Sequence, residues 1–214
     1  MDIYKALRKH FGFRHWWPGD SPFEVFVGAV LTQQTTWLNV EKAISNLKHA
    51  NALDINKIAY MKIADLRRLI RPSGYYRQKA TRLKQLCRTI IKQYGSFNNM
   101  LMLDKNQLRK ALLAYNGIGR ETADSIILYA AEKPIFVIDA YTKRAMSRIN
   151  PSIRDDVDYD ELRTYFEGSI KRNVRLYKDF HAQFVELGKN YCRKSFPLCS
   201  VCPLQNICSF GKAH

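Results

Sequence analysis

The stretch LLAYNGIGRETADSIILYAA, residues 112–131, holds two apolar helical runs with only Asn116-Gly117-Ile118-Gly119 between them. Helical periodicity stops near Tyr115 and resumes from about Arg120 to Ala131, so the chain must reverse within a few residues. Gly117 and Gly119 permit a sharp turn and a close backbone approach, while Ile118 is placed to plug the turn into a core. The amides at the start of the second helix can meet a phosphate oxygen.

Other segments also read as helices. Ser21-Pro22-Phe23-Glu24 supplies an N-cap, a proline at the first helical position and a glutamate that closes a capping box, opening an apolar helix through about Leu31. Asp104-x-x-Gln107 and Asp158-x-x-Glu161 repeat the device. Tyr76 to Tyr94 is periodic and stops at Gly95, a left-handed cap, and the Lys133-Pro134 step ends a further helix before IFVID. Strand-like alternation is scarce, so the expectation is about ten helices, short loops and almost no sheet. A 214-residue chain with 46% apolar residues can bury a real core in one large domain or two small ones.

Lys and Arg outnumber Asp and Glu by 35 to 19, a formal charge of +16. A polyanion is the expected partner. An acidic membrane surface would also attract such a chain, but no apolar run is long enough to span a bilayer and no basic leader with a cleavage site is visible. An intracellular, soluble, nucleic-acid-binding protein is therefore expected.

Four of the five cysteines crowd near the C-terminus as Cys192-x6-Cys199-x2-Cys202-x5-Cys208. Inside a cell thiols stay reduced, which points to a metal rather than to disulfides. Zinc usually takes two CxxC pairs, and only Cys199 and Cys202 form one, whereas a [4Fe-4S] cluster accepts looser loops. Arg193 and Lys194 would offset the charge of such a centre or face phosphates. Cys87 reads as a small buried hydrophobe. Beyond the glycine turn, Asp139 closes PIFVID and begins the helix AYTKRAMSRI, a cap position that also holds a partly buried carboxylate able to stabilise developing positive charge.

Taken together, NGIGRETADSIILYAAEKPIFVIDAYTKR and the following CRKSFPLCSVCPLQNIC resemble the helix-hairpin-helix DNA glycosylases of the endonuclease III family, over nearly the whole chain from about residue 15. The resemblance implies an all-α fold of two lobes with a cleft between them. Residues 21–133 would form a six-helix lobe with the hairpin at about 108–131. Residues 1–20 and 134–214 would form the second lobe, with Asp139 and a [4Fe-4S] loop over 192–208. It further implies that Asp139 is catalytic, that Cys192, Cys199, Cys202 and Cys208 ligate the cluster, and that Gly117, Gly119, Arg120, Thr122 and Lys143 meet DNA. LTQQTTW is similar to the segment whose glutamine, here Gln34, fills the gap left by an extruded base. RPSGYYRQKATRL is similar to the wedge loop, with Tyr75 in the intercalating position and Tyr76 beside it.

Family members that also cut the strand carry, just before the hairpin threonine, a lysine that forms an imine with the sugar. Glu121 stands there, which implies hydrolysis without strand cleavage. Lys143 would be a substitute nucleophile, though a salt bridge or phosphate contact suits it better. The WWP stretch, Trp37, the PSG-aromatic-Tyr loop and Glu121 resemble the 3-methyladenine glycosylases of this superfamily, which implies a base pocket formed by Trp17, Trp37 and Glu121. Aromatic faces bind a cationic alkylated purine by cation–π attraction. Those alkylpurine enzymes lack the cysteine motif, so a thymine or uracil mismatch glycosylase and an endonuclease III-like glycosylase/lyase remain as alternatives. So does a non-catalytic DNA-binding iron–sulfur protein. An adenine-mismatch enzyme needs a glutamate where Ala29 stands. The expected partner is double-stranded DNA with a damaged or mismatched base, bound by a monomer.

Overall fold

The computed structural model describes residues 2–213, and every regular element among them is helical. The helices are α1 (Asp2–Phe11), α2 (Pro22–Leu31), α3 (Trp37–His49), α4 (Ile55–Tyr60), α5 (Ile63–Leu69), α6 (Tyr76–Tyr94) and α7 (Phe97–Met102). They continue as α8 (Lys105–Leu113), α9 (Arg120–Ser125), α10 (Ala140–Ile149), α11 (Tyr159–Ser169), α12 (Val174–Asn190) and α13 (Ser209–Lys212). The chain divides into two compact units, one spanning Pro18–Lys133 and the other joining the segment up to Trp17 with everything from Pro134 onward.

In the unit from Pro18 to Lys133, α2 is the central element. Its sequence PFEVFVGAVL is apolar on all sides, and such a helix is stable only when surrounded. It is buried from Glu24 to Leu31 and packs on α3, α6 and the end of the hairpin. Ser21 Oγ accepts from the Glu24 amide at 3.2 Å, while the Glu24 carboxylate reaches back to the Asp20 amide, one residue before the cap. The amphipathic α6 buries Leu83, Leu86, Cys87 and Ile90 against α4 and α5. Burial pushes the Cys87 thiol pKa up, as suits an inert packing residue. After α9 the chain runs on as a π-helical turn, Ile126–Ala130, whose side chains are all buried. Arg109 Nε pairs with the fully buried Asp124 carboxylate at 2.7 Å and locks α8 to α9.

The other unit begins and ends the chain. Asp179, fully buried on α12, accepts from Tyr4 Oη at 2.7 Å, the Arg14 amide at 2.8 Å and Gln183 Nε2 at 3.2 Å. These bonds explain why the N-terminal segment folds with the C-terminal half. Residues 134–139 are extended but pair with no strand. Their buried amides are met by side chains: Phe136 N–H donates to Glu167 Oε1 at 2.9 Å, and Ile138 N–H to Tyr159 Oη. Phe136 stacks on Phe166 with centroids 4.2 Å apart, and α10 presses on α12 where Gly188 faces Tyr141. A Cβ at Gly188 would lie 2.3 Å from the Tyr141 ring, so glycine sets that approach.

Candidate functional site

The glycine turn between α8 and α9 is built from two different requirements. Gly117 has φ +87°, a conformation that favours glycine, and a Cβ there would stand 2.8 Å from Arg82 Cδ, so that flexible side chain would have to shift. Gly119 is extended and has no side chain or backbone within reach of an added Cβ, which leaves the face above the first amides of α9 open. Ile118 is buried under the turn. Arg120 and Glu121 are exposed in the first turn of α9, and Thr122 is half-buried.

Two further loops of this unit are tied to it. Gln33 Nε2 donates to Gly117 O at 2.9 Å and to Thr122 Oγ1 at 3.0 Å, anchoring the segment after α2 onto the hairpin. Gln34 has the left-handed φ of 55° and is exposed. The glutamine pair thus divides into an inward anchor, Gln33, and an exposed neighbour, Gln34. In the second loop, Gly74 (φ 68°, ψ 162°) adopts a conformation nearly restricted to glycine, and Tyr75 follows in the left-handed region at φ 45°. Tyr75 is 62% exposed, whereas Tyr76 is half-buried at the start of α6. Lys79, buried on the first turns of α6, donates to Leu31 O and Ser73 O.

Asp139 caps α10. Its Oδ1 accepts from the Thr142 amide at 2.7 Å and from Thr142 Oγ1 at 2.8 Å, and its Oδ2 lies 3.5 Å from His181 Nε2 of α12. The residue is only 9% exposed. Burial works to raise its pKa, but His181 and the two Thr142 donors outweigh it and hold the carboxyl below its ordinary value. The result is an ionised, oriented and desolvated carboxylate. Lys143, one turn on, donates from its Nζ to Val157 O, which leaves two of its three donors for other acceptors.

Trp37 opens α3, and its indole N–H donates to Glu41 Oε1 at 2.6 Å. It lines a cavity of about 390 Å3 together with Pro18, Asp20, Glu24, Glu41 and Lys48. Lys48 Nζ pairs at 2.7 Å with both Asp20 and Glu24, leaving this hollow with more carboxylate than ammonium in a strongly basic chain. Trp17 is half-buried in the other unit and its ring lies 5.4 Å from that of Trp16.

Residues 27–172, spanning the loops, the hairpin and Asp139, match the profile of the HhH-GPD superfamily of base excision DNA repair proteins. The chain belongs to that superfamily. A Methanocaldococcus jannaschii protein assigned as a DNA repair glycosylase is 45% identical over 96% of this chain and 94% of its own length. Endonuclease III of Thermotoga maritima is 30% identical over 98% of this chain and 92% of its own. The solved 3-methyladenine DNA glycosylase of H. pylori, bound to 1,N6-ethenoadenine, superposes with a TM-score of 0.77 at 34% identity, covering 88% of this chain and 96% of that one. The protein is thus an HhH-GPD DNA N-glycosylase of the endonuclease III type, acting on double-stranded DNA. No described helix is long and apolar enough to cross a membrane.

One expectation drawn from that likeness is corrected. The [4Fe-4S] centre assigned to Cys192, Cys199, Cys202 and Cys208 is not supported, because among the described residues no group of three or more His, Cys, Asp or Glu side chains is placed to hold a metal ion. That finding removes the iron–sulfur loop from the fold and equally removes zinc as its alternative. The cysteines are free thiols engaged by their own loop. Cys208 Sγ accepts from the Gly211 amide at 3.3 Å as the cap of α13 and contacts Arg148 O, and Cys192 Sγ accepts from Arg148 Nη1 at 3.4 Å. Burial raises the pKa of the Cys199 and Cys202 thiols, which disfavours thiolates. What shapes the segment is a pair of arginines from α10. Arg144 donates to Cys192 O at 2.8 Å, and Arg148 donates to Arg193 O at 2.7 Å while lying over the Phe210 ring.

His181, Gln33 and Lys79 were not singled out by sequence reasoning. All three are polar side chains that serve another residue; His181 and Lys79 replace apolar residues on helix faces, and Gln33 sits in the turn after α2, where polarity is ordinary.

Proposed function

We propose that this HhH-GPD protein is a monofunctional glycosylase that releases an alkylated purine such as 3-methyladenine from duplex DNA. The observation that carries the base assignment is the Trp37 cavity, lined by an indole together with the carboxylates of Asp20, Glu24 and Glu41 and a single ammonium, Lys48. A 3- or 7-alkylated purine is cationic, and an aromatic face beside carboxylates favours it over a neutral base by about 0.5 to 2 kcal/mol. The likeness to a 3-methyladenine glycosylase supports the same choice.

In the proposed reaction the hairpin amides around Gly117, Gly119 and Arg120 hold phosphate, with Thr122 and Lys143 as further contacts. Tyr75 enters the stack, Gln34 fills the space of the extruded nucleotide, and the base leaves the helix. The C1'–N bond then breaks with its electron pair passing to the cationic purine, which departs neutral. Water adds its oxygen to C1' and gives up one proton, leaving an abasic site. Asp139 stabilises the oxocarbenium character at C1' and orients that water. Glu121 cannot form an imine, so the strand stays intact. Its carboxylate is assigned to the cationic base.

Single-turnover release from duplexes containing 3-methyladenine, uracil, or thymine opposite guanine tests the assignment. Preferred release of the alkylated base is expected. Preferred release of uracil or mismatched thymine would establish a mismatch glycosylase instead, and binding without release of any base would establish a DNA-binding module.

A further inference from the structure

We propose that Lys79 is a positioning residue that fixes the Gln34 loop and the Tyr75 loop to each other, so that plug and wedge enter DNA as one rigid pair. The inference rests on the roles given above to Gln34 and Tyr75. Its geometry is independent of them. Lys79 is 3% exposed, and its ammonium donates to Leu31 O at 2.8 Å and to Ser73 O at 2.7 Å. Leu31 ends α2 immediately before the segment 32–36, and Ser73 immediately precedes Gly74 and Tyr75. One nitrogen therefore holds a carbonyl at the root of each loop, three residues before Gln34 and two before Tyr75.

Neither carbonyl is suited to sit beside the other without a donor between them, since both present their negative ends. The ammonium joins them at a cost, because burial alone lowers its pKa to about 8. A packing role would be met as well by leucine or methionine without that desolvation. What the cation adds is a directional pair of hydrogen bonds between two loops that both hold strained backbone. Gln34 at φ 55° and Tyr75 at φ 45° are conformations that persist only where the surroundings over-determine them. Lys79 is the constraint common to both, and Gln33 extends the same network to the hairpin through Gly117 O. A probe pair of fixed spacing would have its ordering entropy settled before DNA arrives, and misplacement by about 1 Å commonly costs about 100-fold in rate.

Amide hydrogen exchange of the DNA-free protein reads the tie without DNA acting as a bridge. In Lys79→Met, exchange at 33–36 and at 74–76 should accelerate together by about 10-fold or more, while the amides of α8 keep wild-type rates. Single-turnover base release should fall by about 10- to 100-fold with affinity for undamaged duplex within about twofold, and Lys79→Arg should recover part of the loss. Unchanged exchange in either loop overturns the proposal. If Lys79→Met does not fold, Gly74→Ala serves in its place. It strains an exposed loop with open space around it, and it should accelerate exchange at 33–36 as well as at 74–76. An effect confined to 74–76 overturns the coupling. A wild-type protein that releases no base from any duplex defeats the glycosylase assignment of Gln34 and Tyr75, while the exchange result still decides whether Lys79 ties the loops.

Discussion

Asp139 and Glu121 are both carboxylates at the start of a helix, and the protein treats them in opposite ways. Asp139 is buried, receives two donors from Thr142 on one oxygen and faces His181 with the other. Glu121 lies exposed in the first turn of α9, beyond the open face of Gly119. Both benefit from the positive end of a helix, so the dipole does not distinguish them. Burial and directed donors do. Asp139 is held in one ionisation state and one orientation, which suits the proposed role of meeting charge at C1', whereas Glu121 stands at the surface, where the proposed contact with a cationic base would form.

Asp139→Asn is the change that separates these roles most strongly. Asparagine keeps the cap and gives up only the charge that faces His181, so the fold should be retained with some loss of stability while single-turnover release drops by about 100-fold or more. A loss of melting temperature with retained base release would reduce Asp139 to a cap. Next in size is Gly117→Ala, which places a methyl group on Arg82 in a backbone conformation alanine avoids. Affinity for any duplex should fall by about 10-fold, through a hairpin strain of about 1 to 3 kcal/mol. Equal binding by the variant would show that the turn does not contact phosphate.

The contrast between the two helix starts was partly legible in the chain itself. Ser21, Asp104, Asp139 and Asp158 mark helix starts because their short polar side chains can reach the first free amides, and the structure places each at an N-cap. Gly117 was legible for the same kind of reason, a local conformation that few residues tolerate. His181, Gln33 and Lys79 were not, since each acts on a partner far away in sequence that only the folded chain brings near. The cysteine spacing misled because spacing carries no information about where sulfurs point. Arg144 and Arg148, from a helix more than forty residues earlier, shape that segment through its carbonyls.

His181→Phe sharpens the account of Asp139 at a smaller scale. Removing the donor that lowers the Asp139 pKa should raise it, so the acid limb of the rate profile moves to higher pH. The sign for stability is the same. A carboxylate with a depressed pKa stabilises the fold above its ordinary titration range and loses that contribution as pH falls through the lowered value, and the variant should lose its dependence on that window. An unmoved acid limb would mean that Thr142 alone sets the carboxylate. The smallest effect belongs to Glu121→Gln, with release of a cationic base slowed about two- to fivefold and release of a neutral one unaffected. Glu121→Lys adds a qualitative test, since borohydride trapping of a covalent DNA adduct would appear only if position 121 decides between hydrolysis and imine formation.

The central claim is that one buried aspartate drives hydrolysis of an alkylated base and nothing in the site cuts the strand. A duplex carrying a single labelled 3-methyladenine, incubated with wild-type protein and analysed before and after hot alkali, tests it most directly. The account predicts free 3-methyladenine, an intact strand before alkali and a break at the abasic site afterwards. A strand broken before alkali, or no base released while uracil or mismatched thymine is, would contradict it.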